Sequence, residues 1–328
     1  MKTSSFFSRM LIATSVAGLA IGTVSAQSSD FPNKSITIVV PFPAGGVTDQ
    51  LARSIGQKMA ENLKVAVVVD NKPGGGAQIA ANAVKQAPAD GYTMMIGDIG
   101  AFAINPSLYP KLSYDPSKDF IPLARLVLAP SLLVVPANSS YTNMVELVNA
   151  AKTRPNGLNI ASQSTGSGGH LFAEMLRQQT QGNFNHVPYR GSAPALTELV
   201  GGQVDVFFDP IITSGPFVKD GKLKALAIGT AQRSPQFSQV PTLQELGFGN
   251  VNLVAWFGLV VKAGTPASAV NRLSDEVIKA LRAPEVSKRF TDQGLDVAPL
   301  TASEFKPFME AETLRWGKVI KDASIKLD

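Results

Sequence analysis

Ser35-Ile-Thr-Ile-Val-Val40 runs directly into Pro41-Phe-Pro-Ala-Gly-Gly-Val-Thr-Asp49, and that into Gln50-Leu-Ala-Arg-Ser-Ile-Gly-Gln-Lys-Met59. The β-branched run predicts a strand and the Pro/Gly segment a loop. Leu51, Ile55 and Met59, four residues apart, predict the buried face of a helix. A strand–loop–helix junction leaves the first N–H groups of the helix without intrahelical acceptors, at the positive end of the helix dipole. An anion can be cradled there. Gly45 and Gly46 lack a Cβ, so backbone can come close to such an anion. A single loop of this kind is more often a tight turn that binds nothing. Its return in the second half of the chain shifts that balance.

Outward from this stretch, Val65 to Asp70 predicts a second strand, Ala77 to Ala87 a small-residue helix and Tyr92 to Ile96 a third strand. The pattern then recurs. Leu158 to Ser162 reads as a strand, Gln163-Ser-Thr-Gly-Ser-Gly-Gly169 as a loop and His170 to Gln178 as a helix with Leu171 and Met175 on one face. Asn185 to Pro188, Ala193 to Val200 and Val204 to Phe208 complete strand, helix and strand. Two βαβαβ units predict two similar α/β domains, each with a parallel sheet covered by helices. Each has a Gly-rich loop at the carboxyl end of its first strand, where ligands of open α/β sheets bind. Two such loops facing each other would hold one small anion from both sides. Apolar runs near Leu126 to Val135 and Val254 to Val261 are expected to cross between the domains. The C-terminal helices, at Thr265 to Arg282, Pro284 to Gln293 and Ser303 to Lys321, are expected to pack back on the first. The expected bounds are 27–126 with 258–328 for one domain and 127–257 for the other.

At 328 residues, 45% apolar and 17% charged, the chain has the composition of a globular protein of two ordinary domains. Lys2 and Arg9 precede an apolar, small-residue run from Met10 to Val24, and Val24-Ser25-Ala26 is an A-x-A-like cleavage site. Residues 1–26 therefore read as a secretory signal peptide, with the mature chain starting near Gln27. The absence of cysteine excludes disulfides, thiol catalysis and Cys-based metal sites. Without Lys2 and Arg9 the chain keeps 28 basic against 25 acidic residues, a net +3. The basic residues are scattered, which argues against a nucleic-acid surface.

Other chemistries fit less well. Gly166-Ser-Gly168 begins like a dinucleotide loop, but Leu171 stands where a third glycine is needed, and no acid ends the following strand. No Gly-Lys-Ser/Thr follows either loop. Ser167 lies where a nucleophile elbow would be, yet Thr165 replaces the required glycine, so an exported serine hydrolase using Ser167 is the runner-up. His170 and His186 make no metal spacing, and neither a metal nor a cofactor is expected. Asp49, in the first turn of its helix, would repel an anion unless it turns away to hold the loop, the role favoured here. Tyr189 and Arg190, just after a strand, are candidates for the edge of the cleft.

Pro41 to Asp49 resembles the first-loop motif of the periplasmic solute-binding proteins of tripartite tricarboxylate transporters, the Bug family. Val187-Pro-Tyr-Arg-Gly-Ser-Ala-Pro-Ala-Leu-Thr-Glu-Leu-Val-Gly-Gly-Gln-Val-Asp-Val-Phe-Phe-Asp209 is similar to its most recognisable stretch. Gly221-Lys-Leu-Lys-Ala-Leu-Ala and Val240-Pro-Thr-Leu-Gln-Glu-Leu-Gly are similar to later blocks. The resemblance spans essentially the whole mature chain. It implies a Venus-flytrap fold of periplasmic-binding-protein type, closing on a small organic carboxylate in the periplasm. It also implies no enzymatic activity, delivery to membrane permease subunits as a monomer or, as an alternative, presentation to a membrane sensor kinase. Carried onto matching positions, it implies ligand binding by Phe42, Ala44, Gly45, Gly46 and Asp49 in the first loop. In the second it implies Ser162, Thr165, Gly166, Ser167 and His170, with Tyr189 and Asp209 nearby. Asp98 and Ile99 lie where such proteins vary. Two motifs depart from the family pattern, at Ser164 and in Gly74-Gly-Gly-Ala-Gln-Ile-Ala80.

Overall fold

The computed structural model describes residues 31–251, 253–322 and 324–325; the expected signal peptide lies outside them. The elements run β1 (Ile36–Val40), α1 (Val47–Leu63), β2 (Val67–Asn71), α2 (Gln78–Gln86) and β3 (Thr93–Asp98). A π-helical turn, Gly100–Ile104, continues into α3 (Asn105–Leu108). There follow α4 (Pro116–Asp119), β4 (Phe120–Ala129), β5 (Ser131–Pro136), α5 (Met144–Thr153), β6 (Leu158–Ser162), α6 (Gly168–Thr180), β7 (Phe184–Pro188), α7 (Ser192–Val200), β8 (Val206–Pro210), α8 (Ile211–Lys219) and β9 (Leu223–Ile228). The chain ends with β10 (Ala255–Lys262), α9 (Ala267–Arg282), α10 (Pro284–Asp292), β11 (Asp296–Leu300) and α11 (Ala302–Asp322).

These strands form two sheets. The first has the order β11-β4-β10-β3-β1-β2 and the second β7-β6-β8-β5-β9. In the first, β1 pairs in parallel with β2, Ile36 opposite Val67, and with β3, Thr37 opposite Thr93. In the second, β6 stands in parallel between β7 and β8. The βαβαβ units are therefore present in both halves, because each helix returns the chain to the edge from which the next parallel strand starts.

Beyond the parallel strands expected of each unit, both sheets carry antiparallel members. β10 runs antiparallel to both β3 and β4, and β11 antiparallel to β4. In the second sheet β5 is antiparallel to β8 and β9. The run read as one crossover, Leu126 to Val135, is two buried strands of different sheets meeting at Pro130. Pro has no N–H to give a ladder and fits the point where one ladder ends. The chain returns between β9 and β10, and the apolar run to Val261 is itself a strand of the first sheet.

Helices bury the faces that their spacing predicts. Leu51, Ile55 and Met59 on α1 are fully buried, as are Leu171, Phe172 and Leu176 on α6. Phe172 stacks on Phe208 of β8, centroids 3.9 Å apart. α9 and α11 pack on β4. On α11, Glu312 Oε2 accepts the indole N–H groups of Trp256 and Trp316, both at 3.0 Å. Trp256 is thereby a core residue, with Phe305 and Phe308 edge-on to its ring. Among the described residues, no helix is long and apolar enough to cross a membrane.

Candidate functional site

A cavity of about 620 Å³ opens where the carboxyl ends of both sets of parallel strands meet. Pro41 and Phe42 follow β1, Pro73 and Gly74 follow β2, and Asp98 and Ile99 end β3. From the second sheet come Gln163 to Gly169 after β6, Arg190 and Gly191 after β7, and Phe208 and Pro210 at the end of β8. Leu253, Ala255 and Phe257 line it from the returning segment. The wall is largely apolar, with Arg190 its only cation and Asp98 its only acid among the lining residues.

The two Gly-rich loops share one backbone design. Gly45 (φ +91°) and Gly166 (φ +78°) adopt a conformation that side chains disfavour. Each donates its N–H to the side chain four residues on, Gly45 to Asp49 Oδ2 at 2.9 Å and Gly166 to His170 Nδ1 at 3.0 Å. The next residue caps the helix in both, Gly46 at φ −73°, ψ 173° and Ser167 at φ −73°, ψ 167°. Both helices are long enough to carry a dipole, and their first-turn N–H groups lack intrahelical acceptors.

Asp49 is buried and also accepts from Arg53 Nε at 2.9 Å and Asn71 Nδ2 at 3.0 Å, while Asn71 reaches the Phe42 carbonyl as well. The Arg53 guanidinium holds the Asp49 carboxyl below its ordinary value, against the opposing effect of burial. This acid braces the loop. Asn71 was missed because a lone Asn at a strand end reads as an ordinary turn residue.

In the second loop His170 stacks flat on His186, centroids 3.8 Å and planes 4° apart. His186 Nε2 meets Ser162 Oγ at 2.6 Å, and Ser162 also reaches the Ser164 carbonyl. A Nδ1 that accepts the Gly166 N–H carries no proton, so His170 is neutral here. Burial, and then the charge His170 carries whenever it is itself protonated, push His186 down to about 4. Ser167 Oγ donates to the Ser164 carbonyl at 2.7 Å and accepts the His170 backbone N–H, which is the work of an N-cap. His186, the other candidate base for a hydrolase, is turned to Ser162.

Asp209 is wholly buried. Its carboxylate accepts from Ser192 Oγ and Thr213 Oγ1, both at 2.5 Å, and from Gln163 Nε2 at 3.1 Å. Burial pushes it up to about 6 in spite of these donors. Gln163 in turn lies in the cavity wall, so Asp209 bears on the cavity through Gln163. Of the residues singled out in the sequence, Phe42, Ile99, Thr165, Gly166 and Ser167 line the cavity. Asp49, Ser162, His170, Tyr189 and Asp209 do not line it, nor do Ala44, Gly45 and Gly46, which are exposed at the head of α1. Gln163 had no signal in the sequence beyond its place after a strand.

A fold of two mixed sheets with a cavity at the carboxyl ends of their parallel strands defines a two-lobed binding protein. Residues 51–325 match the model of the tripartite tricarboxylate transporter family receptor, TctC, and the chain belongs to that family. It is 36% identical, over 95% of its length and 93% of the relative's, to the UPF0065 protein of the tcbD–tcbE intergenic region of a Pseudomonas species. It is 30% identical to the protein BugT of Bordetella pertussis, over 97% of this chain and 98% of BugT. Among solved structures, an R. palustris protein with adipate superposes with a TM-score of 0.82 at 35% identity, covering 90% of this chain and 99% of that one. MatC of Rhodopseudomonas palustris, with bound malate, gives a TM-score of 0.78 at 34% identity, covering 88% and 100%.

Proposed function

We propose that this chain is a periplasmic solute-binding protein that captures a small organic carboxylate between its lobes and delivers it, as a monomer, to the membrane subunits of a tripartite transporter. The observation that carries the reading is the shared design of the two loops, with Pro41 to Pro43 of the first and Gln163 to Gly169 of the second in the wall of one cavity. Helix N-termini at such loops supply N–H donors and a favourable dipole for an anion without a fixed cation. The carboxylates in the two R. palustris structures support the same class of ligand. In this reading the lobes are 27–126 with 258–328 and 127–257. Phe42, Ala44, Gly45, Gly46, Ile99, Thr165, Gly166 and Ser167 face the ligand. Asp49, Ser162, His170, Tyr189 and Asp209 hold those residues in place. Its role is binding, not catalysis.

A thermal-shift and calorimetric panel of mono-, di- and tricarboxylates tests it, since a ligand of the folded state raises its melting temperature. Gly46→Val is the matching variant. A Cβ at Gly46 meets only the Pro43 carbonyl oxygen, at 3.8 Å, and φ is ordinary. The unliganded protein should therefore melt as before, while carboxylate affinity falls about tenfold or more as the side chain blocks approach to the loop. Affinity equal to that of the parent protein would remove the first loop from the site.

A further inference from the structure

The cavity carries an acid that a receptor for simple dicarboxylates has no use for. Asp98 ends β3 opposite Phe257 of β10, and the π-helical turn begins two residues later. The side chain is half-buried in the cavity wall, beside Gly100, Ala101 and Phe257. Its Oδ1 accepts the Ala101 N–H at 3.0 Å. No lysine or arginine pairs with it among the described residues. The one cation of the wall, Arg190, comes from the other sheet and is exposed.

Two effects compete over its charge. Burial raises the Asp98 carboxyl above its ordinary value, while the N–H groups of the turn, Ala101 first, oppose this. Backbone N–H groups at the start of a helical turn favour the ionised form. An ionised carboxylate has acceptor capacity beyond one N–H bond and no donor of its own. Burying it against a second anion is costly, and burying it against a donor is favourable.

We propose that the ligand carries, besides its carboxylate, a hydrogen-bond donor such as an ammonium or hydroxyl group, and that Asp98 receives it. Asp98 is then the specificity-determining residue. The carboxylate end lies between the two Gly-rich loops, the donor end toward the turn after β3, and the apolar wall takes a short aliphatic body. This rests on the carboxylate-binding reading and adds the second end of the ligand.

Titration calorimetry on the mature protein tests it with matched series of about four to eight carbons, sizes well within a ligand cavity of this volume. Each length is offered as a monocarboxylate, a dicarboxylate, an ω-hydroxy acid and an ω-amino acid. The hydroxy and amino arms show which donor is meant. At its best length the donor-bearing acid is expected to bind about tenfold or more tightly than the dicarboxylate. In Asp98→Asn that preference should shrink to about twofold or less. A preference unchanged in Asp98→Asn overturns the proposal. So do dicarboxylates that bind best and lose affinity in Asp98→Asn, since Asp98 would then be donating as a neutral acid. Carboxylates that bind with no preference among the four classes sink this proposal and leave the carboxylate reading standing. Failure of every series to bind removes both. The comparison of ligands on the parent protein does not depend on how the variant folds.

Discussion

The two Gly-rich loops share a backbone turn and differ in the chemistry behind it. In both, a positive-φ glycine gives its N–H to the side chain four residues on, and the residue between them and the helix caps it with φ −73°. Behind the first loop is Asp49, ionised and tied to Arg53 and Asn71. Behind the second is His170, neutral and stacked on His186, with Ser162 closing the network. Loop shape is therefore set by a geometric requirement, an acceptor at the fourth residue, which either a carboxylate or a neutral imidazole can meet. The charge behind each loop is a separate choice. A carboxylate is tolerable behind an anion site because the Gly45 N–H, Arg53 and Asn71 take up its oxygens and Arg53 balances its charge.

Removing the first brace should have the largest effect. Asp49→Ala leaves the Gly45 N–H without its acceptor, Arg53 without its carboxylate and Asn71 with only the Phe42 carbonyl, and hydrogen bonds to an ionised group contribute about 1.5–3 kcal/mol. We expect a loss of about 2–3 kcal/mol in chemical denaturation, together with weaker carboxylate binding. Asp49→Asn, which keeps an acceptor for Gly45 but not the charge, should recover part of the stability. If Asp49→Ala unfolds at the same denaturant concentration as the parent, the brace is not what shapes the loop.

Pairing the loops in this way was legible from the chain because each rests on local physics. β-branched runs, Gly-rich junctions and a four-residue apolar spacing are visible without partners, and Asp49 as a brace follows from the conflict between an acid and an anion site. The antiparallel strands were not legible. β5 is buried along its whole length and β4 along most of its length. Their run of apolar residues has no period to separate two strands from one crossover. β11, Asp-Val-Ala-Pro-Leu, has a Pro and no alternation, and it lies at a sheet edge, where a Pro can be borne. At the cavity wall and behind it, Gln163, Asn71 and Ser192 are joined to their partners only by the fold. No spacing rule relates Gln163 to Asp209 across 46 positions.

A pH experiment sharpens the comparison from the other side. His186 titrates near 4 in the fold, below the ordinary value of 6.5. Between those values the unfolded chain binds the proton and the folded one does not, so this group's contribution rises with pH across that window and is lost as pH falls toward 4. Asp209 acts in the opposite sense. Its folded value near 6 exceeds the ordinary 3.8, so the folded chain holds the extra proton, and its contribution falls as pH rises from about 4 to 6. The two oppose each other in the parent protein, and a difference isolates the first. Stability of the parent minus that of His186→Gln should increase by about 1–2 kcal/mol from pH 4 to 6.5, allowing for partial exposure of the ring. A flat difference would mean that the stack does not hold His186 neutral.

The smallest expected effect bears on the caps, where the two loops differ by a single hydroxyl. Ser167 Oγ accepts from the third helical N–H of α6, and Gly46, with the same dihedral angles, offers nothing to α1. Gly46→Ser places a hydroxyl where the Asp49 N–H can use it, with no backbone strain and no contact closer than the Pro43 carbonyl oxygen. A gain of a few tenths of a kcal/mol in denaturation is expected, since glycine is itself a fair N-cap. The same hydroxyl lies at the head of α1, where the first loop would meet its carboxylate. Stability should therefore rise slightly while affinity changes far less than in Gly46→Val, because serine adds a small group that can donate to the anion. A stability loss in Gly46→Ser would show that the first cap cannot accept the geometry of the second, and that the likeness of the two loops ends at the backbone.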